Sequence, residues 1–409
     1  MFYFLVLLNV FRAYIYSRKI EREDMIMQKR IIISLLLITS IVMSGIVGVL
    51  AAEQVDTRMN FDCKSAILIE ASTGKVLFEQ NADEALPPAS VTKVMTLLLV
   101  MEAIEDKKIS LTDMVAASEH ACSMGGSQIY LEVGEEMSVE DLIKSVVIAS
   151  ANDAAVALAE YVAGSEEAFV ELMNKRAEEL GMKNTHFENT NGLDDTVENH
   201  VTSARDIAIM SAKLLSYKKI TEYSSIWMDS IRNGEFGLTN TNRLVRFYKG
   251  ANGLKTGSTS KAKFCISASA ERDGMTLICV IMAAPTRDVR NAAATSLLDF
   301  GFANYKIYKS PESAITPVRV LGGVKNRCEV KSGSFSAILS KKDAKNIETK
   351  TELPESVTAP VKAGDKIGAV KYYLGGEEIG SSDILAVENV DVVGFWDLFI
   401  KFIASMSLF

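Results

Sequence analysis

Ser90-Val-Thr-Lys93 sets a hydroxyl and an amine three residues apart, which on a helix places both on one face, one turn apart. A lysine so placed can take the serine proton if it is neutral when substrate arrives. That requires its ordinary pKa of about 10.4 to be lowered by burial or by a neighbouring positive charge. The start of a helix adds free N–H groups and a positive dipole end, which favour developing negative charge. The pair alone carries little weight, because Ser216/Lys219, Ser258/Lys261 and Ser260/Lys263 share the spacing. Two further motifs, each occurring once, set Ser90 apart. Ser150-Ala-Asn152 opens an Ala-rich helical run, and Lys255-Thr-Gly257 stands at the entrance of a strand region.

Helices and strands must bring these motifs together. Ser65-Ala-Ile-Leu-Ile-Glu70 and Lys75-Val-Leu-Phe-Glu79 flank Ala-Ser-Thr-Gly and read as an opening hairpin. Pro87-Pro88 stop regular structure, and beyond Ser90 the apolar positions Val94, Leu97, Leu98 and Met101 follow helix spacing. Residues 139–163, 166–180 and 286–302 carry further helical patterns. Alternation over 264–270 and 276–284, around Glu271-Arg-Asp-Gly274, reads as a second hairpin. Cys265 and Cys279 stand at nearly equal distances from that loop, which predicts close neighbours, as small buried thiols rather than a disulfide. Strands at both ends with helices between them imply an α+β domain over 55–307 whose terminal strands share a sheet. Beyond Pro311, short β runs at 316–321, 336–339 and 369–374 predict a small all-β domain over 311–391 with nothing chemical in it.

The net charge of -8 leaves no basic field for phosphates, so nucleic acid is not an expected partner. Five scattered cysteines lack a C-x-x-C spacing, and His120, His186 and His200 lack a ligand spacing, so no disulfide framework or metal site is expected. Both ends carry membrane signals. Lys29-Arg30 precede an apolar run over 31–50 that closes on Ala51-Ala52, which reads as an export signal filling residues 1–52 and cleaved after either alanine. An uncleaved membrane helix is the alternative, since the run approaches spanning length. Met25 or Met27 is the expected true start, which leaves residues 1–24 untranslated. Val392 to Phe409 is almost wholly apolar except for Asp397, Lys401 and Ser405, four apart on one face, and reads as an interfacial anchor helix on the outer side of the membrane.

Together, Ser90-x-x-Lys93, Ser150-x-Asn152 and Lys255-Thr-Gly257 resemble the active-site triplet of penicillin-binding proteins and serine β-lactamases. Pro87-Pro-Ala-Ser-Val-Thr-Lys-Val-Met-Thr96, His186-Phe-Glu-Asn-Thr-Asn-Gly-Leu193, Thr202-Ser-Ala-Arg-Asp206 and Gly253-Leu-Lys-Thr-Gly257 look more narrowly like the low-molecular-weight D-alanyl-D-alanine carboxypeptidases. The resemblance implies an α+β penicilloyl serine transferase domain, of the β-lactamase and transpeptidase kind, followed by a small all-β domain. It implies removal of the terminal D-alanine from peptidoglycan stem peptides, with β-lactams as covalent inhibitors and no cofactor or metal. By the same resemblance Ser90 is the acylated nucleophile, Lys93 its base, Ser150 a proton relay and Asn152 a substrate-backbone contact. Lys255 and Thr256 would meet the terminal carboxylate, Gly257 would allow close approach, and the N–H groups of Ser90 and Ser258 would form the oxyanion hole. His186, Asn189 and Arg205 read as scaffold. Lys263 departs from the usual Ala-Gly at 262–263. A serine β-lactamase would need a deacylating carboxylate, for which Glu188 is the candidate, and a non-catalytic wall-binding module would have no reason to keep all three motifs.

Overall fold

The computed structural model describes residues 59–395 and 399, so the expected export signal and nearly all of the expected anchor lie outside the described residues. In chain order, β1 (Ser65–Glu70) and β2 (Val76–Gln80) form the opening hairpin. A 3₁₀ turn at Ala89–Thr92 then leads into α1 (Lys93–Glu105). Short strands β3 (Met114–Ala116) and β4 (Glu136–Ser138) bracket α2 (Glu119–Cys122). α3 (Val139–Lys144), α4 (Asn152–Ala163), α5 (Glu166–Glu179), α6 (Ala204–Leu215) and α7 (Lys218–Ser224) complete the helical part. A small hairpin of β5 (Met228–Ile231) and β6 (Phe236–Thr239), then α8 (Leu244–Phe247), lead to the strands β7 (Ala251–Thr259), β8 (Lys263–Arg272) and β9 (Met275–Ala284) and to α9 (Arg287–Asn304).

The strands of both chain ends meet in one antiparallel sheet of order β2-β1-β9-β8-β7, as the alternation predicts. β9, Met-Thr-Leu-Ile-Cys-Val-Ile-Met-Ala-Ala, is apolar on both faces because helices cover both, with α6 and α9 packed against it. α1 is likewise apolar nearly all round and runs through the core, which fixes the start of the helix rigidly. Helix starts are set by local chemistry: Ser165, Ser203 and Thr286 each accept a hydrogen bond from the N–H three residues on. Each such cap contributes about 1 kcal/mol.

Two expectations change. The hairpin loop is the two-residue turn Asp273-Gly274, both at positive φ (52° and 74°), because Arg272 pairs with Met275 and Glu271 with Thr276. Cys279 therefore faces Ala268, and Cys265 lies three positions farther along β8, with its Sγ accepting from the Ala283 N–H at 3.4 Å. The two cysteines are not cross-strand neighbours, and all five cysteines are free thiols. The helical pattern over 139–163 is also not one helix. A π-helical turn at Ser145–Ala149 ends on Ser150 in a left-handed conformation (φ 67°), and α4 starts afresh at Asn152.

After α9 the chain becomes β-rich: β10 (Tyr305–Ser310), β11 (Ser313–Leu321), β12 (Arg327–Ser332), β13 (Phe335–Ser340), β14 (Ile347–Glu352), β15 (Ser356–Thr358), β16 (Lys366–Leu374) and β17 (Glu377–Ala386). β10 pairs with β13, and the others form a sheet of order β14-β16-β17-β12-β11-β15. Its core centres on Tyr372, stacked on Phe335 at 4.0 Å. No loop separates it from α9: Tyr305 ends the helix and opens β10, while Lys341 pins the join by donating from Nζ to Phe302 O and from its N–H to Asn304 O, both at 2.8 Å. Among the described residues no helix is long and apolar enough to cross a membrane.

Candidate active site

Ser90 sits in the 3₁₀ turn that Pro87-Pro88 force ahead of α1, so its side chain leaves the helix at the open end. The turn is held by neighbours. Ala89 lies at φ +49°, a conformation an alanine adopts only when its surroundings impose it. Thr92 Oγ1 donates to Ala89 O at 2.8 Å and is 2.7 Å from His200 Nε2. His200 Nδ1 accepts from the Glu188 N–H at 3.0 Å, so Nε2 carries the ring proton and donates to Thr92. Gly192 presses on the same carbonyl: a Cβ there would stand 1.9 Å from Ala89 O.

Lys93, in the first turn of α1, is fully buried, with Nζ 3.0 Å from Ser90 Oγ, 2.6 Å from Asn152 Oδ1 and 2.8 Å from Asn191 O. Burial, reinforced by the charge of Lys255 and opposed by Asp153, holds its pKa well below the usual lysine value. A neutral amine has two hydrogens and one lone pair. Two carbonyl oxygens take the hydrogens, and the lone pair is left for the Ser90 hydroxyl proton. Asn152 is fixed in turn by donating to Gly125 O at 2.6 Å. Its neighbour Asp153 accepts from the N–H groups of Ile129 and Leu131, which ties the 123–131 loop to α4. The break at Ser150 turns its side chain out of the helical register and into the cavity.

Lys255-Thr-Gly257 lies on β7, the edge of the five-stranded sheet, alongside the Ser90 turn. A Cβ on Gly257 would meet Ser90 N at 2.8 Å and Pro88 O at 2.9 Å, so only glycine lets the strand and the Ser90 turn approach this closely. Thr256 Oγ1 donates to Thr241 Oγ1 at 2.9 Å. Lys255 is buried and donates to Thr256 O at 3.0 Å, and burial with the nearby Arg290 brings its pKa down to about 7. Arg290, on α9, escaped the sequence reading. It is 3% exposed, donates to Cys265 O and Asn291 Oδ1, and pairs with no carboxylate among the described residues. Burial and Arg287 lower even its pKa, to about 10.

Ser90, Ser150, Thr256, Gly257, Ser258 and Arg290 line one cavity of about 560 Å³. The buried Lys93 joins Ser90 to Asn152 through its amine, and the buried Lys255 adjoins Thr256. All seven residues singled out by the three motifs thus converge, with Ser258 beside them. Among residues expected to be scaffold, Arg205 binds Asp83 and Glu79, and Asn189 braces the 189–193 turn through Gly192 N and Leu193 O. The same segment supplies Asn191 O to Lys93, a contact no motif announced. Glu188 accepts from Asn199 N at 2.9 Å and does not line the cavity. Lys263 is exposed at φ +58° at the start of β8 and lines a separate surface hollow. No group of three or more His, Cys, Asp or Glu side chains that could hold a metal occurs among the described residues.

Comparison with known proteins matches this fold. Residues 51–286 match the family model for D-alanyl-D-alanine carboxypeptidase, and residues 302–392 the model for the penicillin-binding protein 5 C-terminal domain. The D-alanyl-D-alanine carboxypeptidase DacF of Bacillus subtilis is 44% identical over 347 residues, covering 83% of this chain and 88% of that one. Penicillin-binding protein 5 from Haemophilus influenzae superposes with a TM-score of 0.70 at 33% identity, over 82% of this chain and 99% of its own. Penicillin-binding protein D2 of Listeria monocytogenes, in its ampicillin-bound form, superposes with a TM-score of 0.55 at 31% identity, over 60% and 99%. With an α+β domain, a β-rich C-terminal domain and a lysine-paired serine at the head of a buried helix, the chain belongs to the D-alanyl-D-alanine carboxypeptidase family of serine peptidases.

Proposed function

We propose that the enzyme removes the terminal D-alanine of peptidoglycan stem peptides through an acyl-enzyme on Ser90, and that β-lactams acylate the same oxygen. The observation that carries this reading is the Lys93 amine, buried, depressed in pKa and 3.0 Å from Ser90 Oγ with both its other contacts to carbonyl oxygens. The substrate lies along the free edge of β7. Its terminal carboxylate meets Lys255, Thr256 and Arg290, which explains a buried arginine without an acidic partner. Lys93 takes the Ser90 proton as Oγ bonds to the penultimate carbonyl carbon, and the oxyanion is held by the N–H groups of Ser90 and Ser258. Ser150 passes the proton to the leaving D-alanine amine, Asn152 positions the substrate backbone, and water then releases the acyl group. The catalytic domain is taken as 55–307 and the β domain as 311–391. The signal in 1–52 exports the enzyme, and the 392–409 helix holds it on the outer face of the membrane.

Intact-mass analysis after incubation with benzylpenicillin tests the assignment. One adduct is expected, on the peptide that contains Ser90, and it should vanish in Ser90→Ala. A label that persists in that variant removes Ser90 as nucleophile.

A further inference from the structure

The two oxygens that take the Lys93 hydrogens are themselves placed by irregular segments. Asn191 O, 2.8 Å from Nζ, belongs to the 189–193 turn, and Asn152, whose Oδ1 is at 2.6 Å, is steadied by Gly125 O in the loop that follows α2. Loops keep such positions only where side chains from rigid elements tie them down. Glu166, the first residue of α5, ties down both. Its Oε1 accepts from the Thr190 N–H at 3.0 Å and from Thr190 Oγ1 at 2.7 Å, and its Oε2 lies 2.7 Å from Nε2 of His120 in α2. Thr190 is fully buried, and its carbonyl accepts from Thr96 Oγ1 of α1 at 2.6 Å. The two segments also touch directly, where Asn191 Nδ2 donates to Met124 Sδ at 3.6 Å.

An acidic residue in the first turn of a helix ordinarily serves that helix, as a negative charge at the positive end of its dipole. Glu167 does so: its own backbone N–H and the Ser165 hydroxyl hold its carboxyl below the usual carboxylate range. Glu166 turns both oxygens to other segments instead, and its side chain is only 12% exposed. Without it, the buried N–H and hydroxyl of Thr190 would lose their acceptor, and an unmet buried donor is relieved by movement of the backbone that carries it. Asn191 is the next residue on that backbone. If its carbonyl leaves Lys93, the freed hydrogen turns toward Ser90 Oγ, and the amine then donates where it must accept. A displacement of about 1 Å in a reacting constellation can cost about 10²-fold in rate.

We propose that Glu166 is a positioning residue for acylation: by holding Thr190 with one oxygen and His120 with the other, it keeps both Lys93 acceptors in register, so that the amine presents its lone pair to Ser90. The inference rests on the role of Lys93 in the function proposed above. Glu166 does not line the catalytic cavity, and it acts only through the two segments it joins.

The test follows acylation of the full-length enzyme by a fluorescent penicillin in stopped flow, which separates the acylation rate constant from the apparent dissociation constant, as a function of pH. Glu166→Ala should lower the rate constant by roughly tenfold or more and leave the dissociation constant nearly unchanged. Its acid limb should move to lower pH, because the lost carbonyl contact favours the ammonium form of Lys93. Glu166→Gln should keep most of the rate, since an amide oxygen can accept both Thr190 bonds and the amide NH₂ can donate to His120. Glu166→Asp retains the charge at the helix start but is one methylene shorter. It should be as slow as alanine, and it carries the test if Glu166→Ala does not fold. His120→Ala should lose less than Glu166→Ala, because Thr190 stays held. A wild-type rate constant and acid limb in Glu166→Ala or Glu166→Asp, or a loss in Glu166→Gln as large as in Glu166→Ala, overturns the positioning role. A lowered melting temperature with an unchanged rate constant overturns it in favour of a purely structural one. If the wild-type enzyme is not acylated on Ser90, the carboxypeptidase reading falls and the inference with it, an outcome distinct from equal acylation of wild type and variants.

Discussion

In the proposed mechanism, two buried lysines with opposite needs set the pH at which Ser90 can react. Lys93 must be neutral to accept a proton, and burial ensures this, with Lys255 as a second cause. Lys255 must be charged to hold a carboxylate, yet burial and Arg290 bring its pKa to about 7. As pH rises through 7 the free enzyme loses that cation, so kcat/KM should fall on the alkaline side. Bound carboxylate stabilises the charged form, so the same limb in kcat should lie at higher pH. Lys255→Arg keeps the charge at any pH and should flatten the limb in kcat/KM even where it lowers the rate. A limb still near 7 in that variant would assign it to another group. The motifs named both lysines but gave no hint of Arg290. It sits three residues after Arg287 within a helical pattern, and only the folding of α9 against β8 brings it under Lys255.

At the scale of elements, the Ser90 turn depends on a loop that reaches it from elsewhere in the chain. Through Gly192, Asn191 and His200, the 186–200 segment presses on the Ala89 carbonyl, satisfies Lys93 and fixes Thr92. His200 is buried and held neutral, its pKa lowered by desolvation to about 4. The unfolded chain binds a proton near 6.5 and the folded one near 4, so the stability contributed by neutral His200 is complete above 6.5 and is lost as pH falls toward 4. The swing is roughly 3 kcal/mol. Urea midpoints measured from pH 7 to 4 should therefore drop for the wild type and drop less for His200→Gln, whose amide can keep both hydrogen bonds. Parallel profiles would show that His200 does not titrate in this range. Periodicity located α1, α5 and α9 and the paired strands, because those are set by which face is apolar. It could not show the π turn at Ser145–Ala149, since a one-residue widening leaves the apolar pattern almost unchanged. It also took Glu271 and Arg272 as loop, because charged residues on an edge turn read as solvated whether paired or not.

On the scale of the whole molecule, the proposed chemistry and the proposed attachment occupy different stretches of chain. Val392 bridges to Gly323 and the Val393 N–H donates to Gly322 O at 2.8 Å, so a clean truncation keeps residues through Val393. Removing 394–409 should release the processed enzyme from membranes into the soluble fraction, with hydrolysis of a short soluble peptide retained. Each large apolar side chain immersed contributes about 1.5–3 kcal/mol, enough in sum to outweigh ordering a short helix. A truncated enzyme that still pellets after signal cleavage would show that attachment lies elsewhere. Most strands of the β domain were not legible individually, since exposed residues such as Lys350 and Glu352 on β14 break the alternation.

The shared residue at the join of α9 and β10 bears on mechanics. A flexible tether would let the active site wander through a volume, with reach and local substrate concentration set by chain entropy. Here Tyr305 caps α9 and is the first residue of β10, and Lys341 clamps the seam, so the β domain behaves as a ruler rather than a leash. Held at a membrane, such an enzyme works one thin stratum of the wall, at a height set by the span of folded strands. A Gly-Ser insertion between Asn304 and Tyr305 should leave turnover of soluble peptide unchanged and widen the band of wall that is trimmed.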